Sequence, residues 1–190
     1  MIRSLVSPPS ATPVDLAMFK QHLRIDLSMT EEDALLEHYL KAAVRFCESL
    51  CDRAFVTQAW RVNYAIFHTP IRLNYGAASL RRISYTAPNG AWKRLRASYC
   101  QVRPCVAGLE VLPPRGQSWP IVQRGNVNAV SIDYLAGFGM PEAVPDDIKT
   151  AVLIVGCEFY ERRTKTEVGT VVAYHDTVEA LLAPYRWNGF

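Results

Sequence analysis

Acidic side chains are scarce through the middle of this chain. Residues 58–140 hold two, Glu110 and Asp133, against ten lysines and arginines. The flanks are mildly acidic, with six basic against eight acidic residues in 1–57 and five against eight in 141–190. Catalysis by paired carboxylates would therefore have to draw on the flanks. No apolar run approaches the ~20 residues needed to span a bilayer. The opening, Met1-Ile2-Arg3-Ser4-Leu5-Val6-Ser7-Pro8-Pro9, lacks the apolar stretch of a signal peptide. Cytosolic synthesis and no membrane partner are expected. Cysteine is sparse as well: five residues, an odd number, and no C-x-x-C. That argues against a disulfide framework and against a tetrahedral zinc set. Cys47 and Cys51 are four apart and should share one helix face as buried thiols. The four histidines are scattered, none at ligand spacing from another His or Cys. Gly137-Phe138-Gly139 begins a G-x-G-x-x-G pattern, but residue 142 is Glu. No P-loop, G-x-S-x-G or H-E-x-x-H occurs. No cofactor and no metal are expected, and the pattern does not point to an enzyme.

What is present is a globular composition. The chain has 190 residues, 49% hydrophobic and 21% charged, enough to bury a core without covalent staples. A short helix should begin at Asp15, whose carboxylate can cap it, with Leu16, Phe19 and Leu23 on its apolar stripe. Thr30-Glu31-Glu32-Asp33 opens the longest helix, expected over 31–52, with Thr30 as N-cap and Asp33 at the capping-box position. Leu36, Leu40, Ala43, Val44, Cys47, Leu50 and Cys51 recur along it at three- and four-residue steps. Strands follow in 60–66, 71–73, 80–85 and 92–95, with Asn89-Gly90 as a hairpin turn between the last two. Weaker strand patterns cover 98–102 and 109–112, and 129–134 closes the series. The spacing predicts an antiparallel sheet. A helix should then span 146–163, starting after Pro145, with Ile148, Ala151, Val152, Val155, Phe159 and Tyr160 on one stripe. A last short helix should start at Asp176 or Thr177 and stop at Pro184. The fold expected is α+β: a helical bundle, with a long central helix and C-terminal helices, carrying an inserted antiparallel β lobe. It reads as a single domain over 1–190, with helical parts 14–57 and 141–184 and the β lobe at 58–140.

The basic middle reads either as a solvated positive face or as a surface toward an acidic protein or DNA. Arg81, Arg82, Lys93, Arg94 and Arg96 are its candidate residues. Arg81 and Arg82 are adjacent and should point to opposite faces of a strand. The tail, Tyr185-Arg186-Trp187-Asn188-Gly189-Phe190, holds three aromatics in six residues. Such a segment either docks on a partner or folds back over the chain's own core. Since Pro184 ends the preceding helix, the chain beyond it is expected to be free to leave the globule.

The order of several motifs resembles a known family. Gln21-His22-Leu23-Arg24-Ile25 is close to that family's A-x-x-H-L-R. Glu31-Glu32-Asp33-Ala34-Leu35-Leu36 opens the long helix, which ends in Cys51-Asp52-Arg53-Ala54-Phe55-Val56-Thr57-Gln58 where T-G-R-x-L-x-x-Q is common. Downstream come Ser118-Trp119-Pro120, Asn128-Ala129-Val130, Tyr134-Leu135-Ala136-Gly137-Phe138-Gly139, Val144-Pro145-Asp146-Asp147-Ile148-Lys149, Phe159-Tyr160-Glu161-Arg162-Arg163 and Ala180-Leu181-Leu182-Ala183-Pro184-Tyr185-Arg186. From about Val14 to Trp187 the chain resembles the head–tail connector, or adaptor, family of long-tailed bacteriophages, prophages and gene transfer agents. Cys51 departs from the usual small residue or Thr, and Tyr99–Glu110 matches no family pattern.

The resemblance implies a virion protein made in the host bacterial cytoplasm and placed in the neck. It implies a ring of twelve copies beneath the portal vertex, extending the DNA channel and meeting the portal protein and a stopper or tail-completion protein. It implies no chemistry. In this setting Tyr185, Arg186, Trp187 and Phe190 are the candidate portal contacts. Glu37 and Lys41, on the long helix, are the candidate subunit-interface residues, and the basic set is the candidate surface toward an acidic partner or packaged DNA. The alternative function is a stand-alone basic DNA-binding protein using the β lobe.

Overall fold

The computed structural model describes residues 2–162 and 172–187, with the backbone alone for 172–175. Among these residues it is α+β, with four α-helices and two antiparallel sheets. The chain divides into two compact units, one formed by residues up to 10 with 57–138 and one by 11–56 with the segment from 139 onward.

The first unit is β-rich. Its larger sheet has the order β1 (Ile2–Ser7), β2 (Gln58–Tyr64), β8 (Val130–Ala136), β4 (Ala77–Thr86), β5 (Trp92–Leu95). The smaller sheet runs β3 (Ile71–Leu73), β7 (Gly108–Leu112), β6 (Gln101–Cys105). Two sheets thus replace the single one expected, and β1 joins the larger sheet from before the first helix. Register in the larger sheet aligns Val62, Ile132, Ile83 and Leu95 in one row. Three of these side chains are buried, so the period-two pattern places one face on a core. The expected Asn89-Gly90 turn is present. Gly90 adopts φ +80°, and its N–H donates to the Ala87 carbonyl at 2.8 Å. Arg3 of β1 stacks its guanidinium 4.2 Å from the Tyr75 ring centroid and 5.2 Å from that of Trp60. The strand expected at 98–102 is displaced: 97–99 form a 3₁₀ turn, and β6 begins at Gln101.

The second unit holds α1 (Leu16–Leu23), α2 (Asp33–Cys51), α3 (Asp146–Glu161) and α4 (Val172–Leu182). Asp15 caps α1 as expected, its carboxylate accepting from the Met18 N–H at 2.7 Å. The start of α2 differs from expectation. Glu32 is its N-cap, Thr30 does not cap it, and Asp33 is not part of a capping box. The reason is Lys20. Its ammonium is buried on α1 and needs partners, so it pairs with Asp33 and donates to the Met29 carbonyl at 2.7 Å. Met29 and Asp33 close turns onto Asp26 and Thr30 before the helix begins. At the other end, α3 stops at Glu161, and Arg163 lies outside the described residues. The helix α4 starts at Val172, ahead of the expected Asp176 or Thr177. No helix among the described residues is long and apolar enough to cross a membrane.

The helix α2 packs against α1, α3 and α4. Leu36, Leu40, Ala43, Val44, Cys47 and Cys51 are buried, as are Ile148, Ala151, Val152 and Val155 of α3. Phe46 meets Phe159 edge to face, and Tyr39 meets Tyr160 in the same way. Gly156, inside α3, is explained by this packing. A Cβ there would lie 2.8 Å from the fully buried Phe19 ring, with the Ala43 methyl at 3.7 Å. Replacing Gly156 with Ala should therefore lower stability. The gain in helix propensity is up to ~1 kcal/mol, and overpacking a filled core costs roughly 1–3 kcal/mol. Chemical denaturation should show Gly156→Val losing more than Gly156→Ala, with both below wild type.

Candidate functional site

The two carboxylates of the β unit occupy equivalent places. Asp133 lies on β8, the centre of its sheet, opposite Arg61 of β2 and Arg82 of β4. Arg61 donates Nε to Oδ1 at 2.6 Å and a terminal nitrogen to Oδ2 at 3.1 Å. Arg82 donates Nε to Oδ2 at 2.9 Å. Glu110 lies on β7, the centre of the small sheet, opposite Arg72 of β3 and Arg103 of β6. It accepts from Arg103 at 2.7 Å and from Arg72 at 3.1 Å. Both sheets thus carry a cross-strand row of arginine, carboxylate, arginine. Burial alone would raise Asp133, but the bonds from Arg61 and Arg82 outweigh it and hold the carboxyl below the usual range. The Arg103 bond, helped by Arg72, lowers Glu110 against the opposing effect of burial.

These rows divide the candidate cations. Arg82, of the candidate set, shares the Asp133 carboxylate with Arg61, one negative charge between two guanidiniums. A register shift between Leu80 and Arg82 sets Arg81 apart, and it is exposed. Lys93 and Arg94 are exposed on β5, an edge strand. Arg96 is exposed and stacks on Tyr99 at 5.8 Å, donating to its hydroxyl at 3.3 Å. Sequence reasoning passed over Arg61, Arg72 and Arg103. Their signal was available: the only two acids of the segment both fall in strands, each among arginine-bearing strands.

Glu37 and Lys41 are both exposed and pair with each other, Nζ to Oε2 at 2.9 Å. This i,i+4 contact stabilises their own helix by a few tenths of a kcal/mol. Through Trp187, the last described residue, the chain after Pro184 stays on the globule. Residues 183–185 form a 3₁₀ turn. Arg186 then donates Nε to the Leu50 carbonyl at 2.9 Å, and the Trp187 N–H donates to the Cys51 carbonyl at 3.2 Å. These carbonyls belong to the last turn of α2, where no intrahelical donor remains, and the guanidinium faces the negative end of the helix dipole. Tyr185 donates to Asp147 at 3.1 Å. Phe190 lies outside the described residues. Cys51 and Cys47 are buried on one face, and burial is the main cause that pushes their thiols up, to about 11 and about 12.

A groove of about 490 Å³ opens at the start of α2. Ile25, Met29, Leu36 and Tyr160 line it, with Asp26, Glu31, Glu32 and Arg24. Met29 is 59% exposed there, and Glu31 is exposed. Among the described residues no group of three His, Cys, Asp or Glu side chains is placed to hold a metal.

Two substitutions test these arrangements. Asp133→Asn should cost about 1–2 kcal/mol at neutral pH, the lower range for charged hydrogen bonds because both arginines are partly solvated. A lowered carboxyl stabilises the fold fully above the ordinary Asp value of about 3.9, and that contribution is lost as pH falls through the folded value. Wild type and Asp133→Asn should therefore begin to converge in denaturant midpoint as pH falls below about 4, and meet below the folded value. Arg186→Ala should lower stability by about 1–2 kcal/mol and speed amide exchange near Ser49–Arg53. Unchanged exchange there would mean the tail does not close α2.

Comparison with known proteins accords with this architecture. A family model described as "Phage gp6-like head-tail connector protein" matches residues 13–73, about a third of the chain. No curated protein sequence matches. Among solved structures, the chain is similar to one from the neck of an empty gene transfer agent particle computed with C6 symmetry, at 23% identity and TM-score 0.81. A chain from the virion of a native gene transfer agent particle matches at 24% and 0.78. One from the neck of a native particle computed with C12 symmetry matches at 22% and 0.77. Each alignment covers 100% of this chain and 97% of the other. The resemblance read from the motifs is thus borne out: a head–tail connector family model matches residues 13–73, and the chain is similar in fold, from end to end, to gene transfer agent neck and virion chains.

Proposed function

We propose that this chain is a structural, non-enzymatic subunit of the neck of a tailed phage or gene transfer agent. In this reading it forms a ring of twelve copies below the portal vertex, extends the DNA channel, and joins the head to a stopper or tail-completion protein. It is made in the bacterial cytoplasm and ends at the head–tail interface. The observation that carries the reading is the end-to-end likeness to neck chains from six-fold and twelve-fold maps, with the connector-family match inside it. The helical unit, taken as a bundle about α2, and the β lobe act together as one adaptor domain.

Tyr185, Arg186, Trp187 and Phe190 are proposed to meet the portal. Since Arg186 and Trp187 also close α2, that contact presents a folded surface rather than a loose arm. Glu37 and Lys41 are proposed at the subunit interface. Arg81, Arg82, Lys93, Arg94 and Arg96 are proposed to face an acidic protein more than DNA, because strong attraction would oppose the sliding of DNA through a conduit. The excess of ten basic over two acidic residues in 58–140 supports the second reading, a stand-alone DNA-binding protein.

Deleting the gene in a producing strain should yield DNA-filled heads and separate tails in electron micrographs. Complementation with a tagged chain should restore joined particles labelled at the neck. Joined particles without the chain would overturn the proposal. Tight DNA binding by the isolated chain, falling steeply with salt, would favour the second reading.

A further inference from the structure

The charge of this chain is segregated by unit. Residues 1–10 and 57–138 hold eleven basic and two acidic side chains, whereas 11–56 and 139–188 hold ten basic and sixteen acidic. Each unit also exposes an apolar feature that is set among its own charges. On the β unit this is the β4–β5 hairpin. Trp92 is 58% exposed on β5, beside exposed Lys93 and Arg94. Trp92 and Arg94 are two apart and share a face of the strand, and exposed Arg96 follows. On the helical unit it is the groove at the start of α2. Its floor is aliphatic and aromatic, from Ile25, Met29, Leu36 and Tyr160, and Asp26, Glu31 and Glu32 outnumber Arg24 around it.

We propose that neighbouring copies of this chain join head to tail, the β4–β5 hairpin of one copy entering the α2 groove of the next. This inference rests on the ring reading above and assigns its contact. Trp92 is the anchor, and Trp and Arg are the residue types that dominate interface energetics when buried. The groove, at about 490 Å³, has room for an indole, and its carboxylates oppose Arg94 and Arg96, which follow Trp92 at two-residue steps. Hairpin and groove are different surfaces of the chain, so each copy offers both and the contact propagates. That is the heterologous geometry a closed ring requires. Opposite charge across the contact speeds encounter and disfavours hairpin-to-hairpin and groove-to-groove pairing.

The test uses the full chain and a charge exchange. Association is followed by sedimentation velocity against protein concentration and salt, with electron microscopy for rings, on wild type, Glu31→Lys, Arg94→Glu, the double variant and Trp92→Ala. Glu31 and Arg94 are exposed, so melting temperatures should be unchanged. Each single reversal should weaken association about tenfold or more, and the double variant should recover to within about threefold of wild type. Trp92→Ala should weaken it without affecting the melt, and salt should weaken wild type. Rings that persist unchanged in the single variants, or a double variant no better than either single, would overturn this contact and leave the ring reading standing. An effect on shape that is independent of concentration would place the hairpin in its own copy's groove, which also overturns it. A wild-type chain that never associates, with no ring at the neck of particles, would overturn the ring reading itself.

Discussion

A carboxylate on a centre strand, shared by arginines from the strands on either side, is the arrangement on which the β unit depends. It occurs once in each sheet, at Asp133 and at Glu110. Each row ties three strands in one register, and a one-residue slip would turn the carboxylate to the opposite face. The same rows settle the electrostatics. Four of the ten cations in 58–140 share two carboxylates, so each row is only half compensated and stays mildly positive. Lys93, Arg94 and Arg96 lie outside these rows, exposed at or just beyond an edge strand, so the hairpin carries cations that the rows do not engage.

The helical unit is organised by close approach rather than by charge. Gly156 lets the Phe19 ring reach α3 where any larger residue would hold it off. Lys20 and Glu48 are buried charged residues of this unit, and the two partners of Lys20, Asp33 and the Met29 carbonyl, fix how the chain enters α2. At the far end of α2 the free carbonyls of the last turn are met by Arg186 and Trp187. Both ends of the longest helix are therefore completed by residues remote from it, which makes a tail rich in interface-type residues part of the folded unit.

Segregation of charge between the two units bears on the proposed ring. A uniformly charged subunit repels itself at every contact. A subunit with one basic and one acidic unit has a preferred pairing of unlike surfaces, and repeated pairing of unlike surfaces is what closes a ring.

Much of this was legible from the sequence. Three- and four-residue apolar steps gave α2 and α3, Asp15 marked the start of α1, Asn89-Gly90 marked the hairpin, and ordered motifs gave the family resemblance. These signals are local, set by backbone period, capping and turn stereochemistry, or carried by motif order along the chain. The strand β1 escaped because it is an exposed edge strand, and with neither face fully buried it shows no clean alternation. Which arginine is paired and which is free was decided by the strand order and by the register shift before Arg82. The return of the tail to α2 was decided by unpaired helix carbonyls, which no side-chain pattern encodes. The sequence by itself determined the elements, the segregation of charge and the family resemblance. Only the tertiary structure decided which charges compensate one another and which surfaces stay open, because pairing depends on distances between residues far apart in the chain.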